Sequence, residues 1–266
     1  MGFLKHLGLN VEREAALANV ASSIRRGLPQ LRQYARQETR IALACGGPSL
    51  AENADALLDL YWRGYKVVAV NGSYEWCLSR GIRPACMFMV DARPSNARFL
   101  TRPAPRCTYW LASQCAPETF DRALSWPDTD VRIWHAMADD VEKDLIERYY
   151  HGGYLVGGFG SSIGLRALSI LLILGFRWFE VFGMDSCKTP GAHHAYPQPE
   201  NDNDDEMQVQ VGDLWFTAAG WQASQMNEAM EFLKEYRDRA INVFFWGNGL
   251  LAHLAEQAGL ARRRSV

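Results

Sequence analysis

Short continuous apolar runs alternate with stretches of helical period along most of the chain. Ile41 to Cys45 is one such run, closed by Gly46, Gly47, Pro48 and Ser49. After it Leu50, Leu57, Leu58 and Tyr61 recur at helical spacing as far as Gly64. Val67 to Val70 is the next run, ended by Asn71, Gly72 and Ser73; a helix from Tyr74 to Ser79 leads to a third, Met87 to Val90, ended by Asp91. Repeated strand, turn and helix predicts a parallel sheet covered by helices, because strands buried on both faces read as unbroken apolar runs. Further strands are predicted at Thr108 to Leu111, Val131 to Trp134, Trp178 to Phe182 and Val243 to Trp246. Helices are predicted at Pro117 to Leu124, Val141 to Tyr149, Ser161 to Leu174, Gly220 to Tyr236 and Leu250 to Gly259.

Two segments depart from this alternation. From Val11 to Thr39 the apolar positions Ala15, Leu17, Val20, Ile24, Leu28 and Leu31 fall at roughly helical spacing, which predicts one or two helices broken at Pro29. Met207 to Val211 and Leu214 to Thr217 flank Gly212 and Asp213, the pattern of an antiparallel hairpin. The expected fold is therefore α/β, a Rossmann-like, mostly parallel sheet flanked by helices. Residues 1–39 are expected to form a helical N-terminal extension, and residues 40–266 one Rossmann-like domain carrying one β-hairpin insertion.

Composition narrows the class of protein. The chain has 266 residues, 48% hydrophobic and 22% charged, with 28 Lys+Arg against 30 Asp+Glu. That is ordinary globular composition, and the near-neutral balance argues against a nucleic-acid binder working by bulk electrostatics. The stretch Ile170 to Gly175, between Arg166 and Arg177, is too short to span a membrane. The first residues lack an apolar run followed by a small-residue cleavage site, so a cytoplasmic location is expected. Six scattered cysteines without a C-x-x-C pair read as reduced thiols rather than as a zinc site.

Open parallel sheets bind ligands at the C-terminal ends of their strands. At the first such end, Gly46 and Gly47 allow close backbone approach, Pro48 presets a helical turn, and Ser49 adds a hydroxyl beside free amides. These features suit a phosphate, although the same residues also make a plain strand-to-helix turn. The turn is neither G-x-G-x-x-G nor a Walker loop. Asn71 could bond a ribose or a base, or serve only the Asn-Gly turn. A second glycine-rich approach, Val156 to Gly164, brings Gly160, Ser161 and Ser162 to the start of an apolar helix. There they could meet an anion or cap the helix. The acidic run Glu200 to Glu206 lacks calcium-loop spacing and reads as a solvated loop rather than a metal site. Trp215, Phe216 and Trp221 fit a core or a dimer interface better than an acceptor platform, so a homo-oligomer is one expectation.

Six motifs occur in a fixed order: Cys45-Gly-Gly-Pro-Ser-Leu50, Gly81-Ile-Arg-Pro84, Asp91-Ala-Arg-Pro-Ser-Asn96, Gly160-Ser-Ser-Ile-Gly164, Leu174-Gly175 and Phe182-Gly-Met-Asp185. Together, over roughly Ile41 to Tyr196, they resemble the 6-hydroxymethylpterin diphosphokinase-like family, which includes motility accessory factors linked to flagellin glycosylation. Its fold is similar to that of bacterial sialyltransferases that use a CMP-sugar donor. The resemblance implies that Gly46, Gly47, Pro48 and Ser49 hold the nucleotide phosphates or ribose, and that Ser161 and Ser162 face the nucleotide. It also implies that Asp91 binds ribose, acceptor or metal, and that Asp185 closes the site. A His shortly after that Asp is matched by His193 or His194, either of which could take the acceptor's proton. The expected activity is glycosyl transfer from a CMP-type donor to an acceptor hydroxyl, with no required cofactor. The alternatives are Mg²⁺-dependent diphosphate transfer from ATP, through Asp91 or Asp185, and a nucleotide-binding module without turnover.

Overall fold

The computed structural model describes residues 11–136, 140–189, 192–199, 203–237 and 240–264. After helix α1 (Arg13–Ile24) the chain enters strand β1 (Arg40–Ala44), short helices α2 (Ser49–Glu52) and α3 (Ala54–Trp62), and strand β2 (Lys66–Val70). Helix α4 (Ser73–Ser79), strand β3 (Cys86–Met89), a 3₁₀ turn (Pro94–Phe99) and strand β4 (Thr108–Ala112) follow. Next come α5 (Pro117–Leu124), β5 (Asp130–Trp134), α6 (Asp140–Tyr150), α7 (Ile163–Ile173) and β6 (Trp178–Phe182). A hairpin of β7 (Glu206–Val211) and β8 (Leu214–Ala219) precedes α8 (Gly220–Tyr236), β9 (Asn242–Trp246), α9 (Leu250–Gln257) and β10 (Arg262–Arg264).

Eight strands form one sheet in the order β10-β9-β6-β1-β2-β3-β4-β5, and every neighbouring pair in it is parallel. The chain builds outward from β1 to β5, then returns through α7 to lay β6 on the other side of β1. The strand order reverses between β1 and β6, the place where doubly wound sheets open a crevice. Register keeps the two strands together there, with Ala44 opposite Phe182.

Helix α7 explains why the return crossover is stable. Its residues Gly164 to Leu172 are buried almost throughout, and burying each leucine contributes about 1.5–3 kcal/mol. The helix starts where Ser162 accepts the Leu165 amide at 3.4 Å, a conventional N-cap. Gly164 lies so close to β1 that a Cβ there would sit 2.9 Å from Cys45 Sγ. The second glycine-rich bend is thus pressed against the end of the first strand.

The N-terminal region differs from its sequence pattern. One helix, α1, forms and packs Val20 and Ile24 into the main core. Residues 29–37 run extended instead: Ile133 donates its amide to Pro29 O at 2.9 Å, and Leu31 donates to Ile133 O at 3.0 Å. Tyr34 and Gln37 donate to Ile173 and Gly175 carbonyls. Pro29 stops the helix, and the open edge of β5 offers backbone partners in its place. Residues 1–10 of the expected extension lie outside the described residues.

All six cysteines are free thiols. Burial pushes the Cys77 thiol up to about 12 and the Cys187 thiol up to about 11, so they pack as small apolar groups. Trp215 is not core: it is 63% exposed, on the solvent face of the hairpin. No helix of the described residues is long and apolar enough to cross a membrane.

Candidate functional site

The bend after β1 is held by the end of β6. Cys45 donates its amide to Phe182 O and Gly47 to Gly183 O, both at 2.8 Å, so the ladder continues past the strands. Ser49 donates its amide to Asp185 Oδ2 at 2.9 Å, and its hydroxyl oxygen accepts the Gly183 amide at 3.0 Å. A Cβ on Gly47 would collide with the Asp185 carboxylate and lie 2.8 Å from Gly183 O. The small residues of this turn therefore admit the protein's own β6 segment. Two of the amides expected to meet a phosphate, those of Gly47 and Ser49, are already bonded, because the Gly-Met-Asp strand end reaches them first.

Asp185 is only 7% exposed. Desolvation pushes its carboxyl up to about 6; its bonds from Ser49 oppose that rise, and the Glu52 charge adds to it. A carboxylic acid poised near neutrality at a strand end is a signature of functional sites. Ser186, the next residue, is held at a φ of 54°, a left-handed conformation that costs a non-glycine residue free energy.

From Ser186 a chain of bonds runs to the second bend. Ser186 Oγ donates to Gln225 Oε1 at 3.0 Å, and Gln225 Nε2 donates to Ser162 Oγ at 2.7 Å. Ser161 donates both its amide and its hydroxyl to Glu228 Oε2, at 2.8 and 2.7 Å. The two glycine-rich bends thus converge, joined through Asp185, Ser186 and the α8 side chain Gln225. Gln225 and Glu228 escaped the sequence reading, since polar positions on a helix ordinarily face solvent.

The loop after Ser186 returns over the first bend. Ala195 donates its amide to Gly46 O at 2.8 Å. The Tyr196 ring lies in a notch between Gly46 and Gly72: a Cβ on Gly46 would be 2.6 Å from the Tyr196 hydroxyl, and one on Gly72 would enter the ring. Both positions need glycine for this reason. His194 lies over the same turn, its Cδ2 2.8 Å from where a Gly46 Cβ would be. His193 Nδ1 and His194 Nδ1 are 2.8 Å apart, within hydrogen-bond distance of each other. Beside the notch Asn71 ends β2 at a φ of 46°. Its buried Oδ1 has no partner among the described residues.

Asp91 ends β3, two strands from β1, and its oxygens are engaged. Arg93 Nη2 donates to Oδ2 at 2.5 Å, and the Arg93 amide donates to Oδ1 at 2.9 Å. Asp91 is thus paired to a guanidinium and Asp185 is buried against Ser49, the partners each carboxylate would have to release to meet a cation. Among the described residues no group of three or more His, Cys, Asp or Glu is placed to hold a metal ion. Residues 200–202 of the acidic run lie outside the described residues; Asp204 accepts a bond from Trp221 Nε1 at 2.6 Å.

The fold is similar to that of the MAf glycosyltransferase from Magnetospirillum magneticum AMB-1, with a TM-score of 0.73 at 16% identity. The match covers 98% of this chain and 39% of that one, so the chain spans about two fifths of its neighbour's length. No curated protein sequence matches. A family model described as "6-hydroxymethylpterin diphosphokinase MptE-like" matches residues 14–191, two thirds of the chain, from α1 to just beyond Asp185. The chain belongs to the 6-hydroxymethylpterin diphosphokinase MptE-like family.

Proposed function

We propose that this chain is a transferase that moves a glycosyl group from a nucleotide sugar of CMP type to an acceptor hydroxyl. The observation that carries this proposal is the convergence of the Gly46–Ser49 and Gly160–Ser162 bends at the switch point, with His194 over the first of them. The neighbour's description as a glycosyltransferase agrees with it.

The parts have distinct tasks. Asn71 Oδ1 accepts a bond from the base or the ribose. The amide and hydroxyl of Ser161, at the start of α7, meet the departing phosphate with the positive end of that helix. His194 takes the acceptor's proton as its oxygen attacks the sugar. In the tautomer in which His194 Nδ1 donates to His193, the Nε2 of His194 keeps its lone pair, so His193 orients the base. Asp185 fixes the first bend and the return loop. No metal enters this scheme.

Thermal-shift measurements with CMP, ATP and GDP, each with Mg²⁺ or with EDTA, test the donor. CMP should stabilise the protein equally in both conditions. Mass spectrometry with CMP-sugars should then show product, and His194→Ala should lower turnover by about 10²–10⁴-fold. Stabilisation by ATP with Mg²⁺ alone, followed by a diphosphorylated product in mass spectrometry, would establish diphosphate transfer instead, the activity in the family's name. A shift without any product would make the chain a binding module. Unchanged turnover in both His193→Ala and His194→Ala would remove the proposed base.

A further inference from the structure

The bend that begins α7 already holds an anion, and that anion belongs to the protein. Glu228 Oε2 accepts both the Ser161 amide and the Ser161 hydroxyl, at 2.8 and 2.7 Å. Two donors converging on one oxygen at the positive end of an 11-residue helix is the arrangement in which phosphate is bound elsewhere.

A second feature lies beneath the same bend. Arg166, in the first turns of α7, is 2% exposed. Its Nε has no partner among the described residues, and its Nη1 makes one long bond, 3.4 Å, to Gly158 O. Burial lowers its affinity for its proton, to about 10, against the attraction of Glu228 and Glu142. The guanidinium is therefore under-bonded, is tied to the bend through the Gly158 carbonyl, and leans electrostatically on Glu228. A buried cation so placed favours a second negative charge at the bend.

The two bends differ in how easily each can open. Asp185 is wedged between Gly47, Ser49 and Gly249, where a Cβ on Gly249 would lie 2.7 Å from its Cα. Glu228 is a half-buried side chain on the surface of α8, and rotation of its χ angles removes it from Ser161.

We propose that Glu228 is a displaceable stand-in for the donor's phosphate and sets the affinity and anion selectivity of the site. On this account, which rests on the function proposed above, the phosphate enters by exchanging with the Glu228 carboxylate. It takes over the Ser161 amide and hydroxyl and completes the charge balance of Arg166. Glu228 thereby weakens singly charged ligands and leaves the bend closed when no donor is present.

Titration calorimetry of the whole chain with CMP and, separately, with inorganic phosphate tests the exchange. Glu228→Ala should bind both at least 10-fold tighter than wild type, with Glu228→Gln in between because its amide oxygen still competes without charge. Ser161→Ala added to Glu228→Ala should reverse part of the gain. Melting temperatures and circular dichroism of each variant establish that it is folded. If wild type binds CMP but Glu228→Ala binds it no tighter, the stand-in role is wrong while the donor assignment survives. If neither wild type nor Glu228→Ala binds CMP or phosphate, both fall.

Discussion

Two buried ionisable groups should pull the stability of this protein in opposite directions over the same pH range. Asp185 titrates near 6 in the folded chain against an ordinary 3.8. Its contribution is fully present below 3.8 and is lost as pH rises through about 6. His135 is 1% exposed, and neither ring nitrogen has a partner among the described residues. Burial lowers its pKa from 6.5 to about 4. Its contribution is present above 6.5 and is lost as pH falls toward 4. Each displacement corresponds to about 3 kcal/mol at about 1.4 kcal/mol per pH unit. Between about pH 4 and 6 the two slopes cancel, so the pair leaves no trace in the wild-type profile.

Substitution exposes them. Urea unfolding of wild type, Asp185→Asn and His135→Leu at half-unit steps from pH 4 to 7.5 gives the profiles. Any loss of packing or hydrogen bonding in a variant shifts its profile without changing the slope. Relative to wild type, Asp185→Asn should gain about 3 kcal/mol between pH 4 and 7. The His135→Leu variant should lose a similar amount relative to wild type as pH rises from 4 to 6.5. A flat difference between wild type and Asp185→Asn across that range would refute the assignment of a raised pKa to Asp185. The chemistry of the site would then have to do without a carboxyl poised near neutrality.

Two further variants probe packing. Gly72→Ala should cost about 1–3 kcal/mol by overpacking against the Tyr196 ring, and Tyr196→Ala in the same chain should recover most of that, as measured by denaturant midpoints. Glu180 is 1% exposed and is held by Arg264 Nη2 at 3.1 Å and by Trp246 Nε1 at 2.8 Å. Arg264→Met should destabilise by about 1–3 kcal/mol, because it removes a hydrogen-bonding cation from a buried carboxylate, and Glu180→Gln should restore stability in that background.

That ion pair also explains a strand that was not legible in the sequence. Arg262–Arg264 has no apolar pattern, yet it forms β10 because Arg264 stacks over Phe244 and reaches Glu180 while the backbone pairs with β9. The parallel strands β1 to β6 and β9 were legible because burial on both faces demands unbroken apolar runs. The hairpin was legible because Gly212 takes a φ of 60° at its turn. Residues 29–37 were not, since Leu28 and Leu31 satisfy helical spacing while Pro29 and the β5 edge decide the backbone. At the site, the first bend could be located from a strand end and the second from its glycines before a helix, whereas the histidines came only through the family resemblance. What fills the bends could not be located: Tyr196 lies 150 residues from Gly46, and Glu228 lies 67 from Ser161. Contacts of that range are set by how helices and loops return over the sheet, which local pattern does not encode.

Asp185 separates a structural bend from a catalytic one. Its Oδ2 accepts the Ser49 amide, and its backbone carbonyl accepts the Leu251 amide at 3.1 Å. An asparagine in the same place would accept both bonds and would not carry the cost of a buried charge. If stability alone had shaped this position, Asp185→Asn would be the better residue at neutral pH. A carboxyl whose charge or proton serves the reaction would bear that cost instead. Asp185→Asn should fold with higher stability at pH 7 and yet lose transfer activity at least 10-fold, with its melting curve and its product yield measured on one preparation. A stable variant with wild-type yield would reduce Asp185 to a cap on the end of β6, and the site would then rest on His194, Asn71 and the α7 bend.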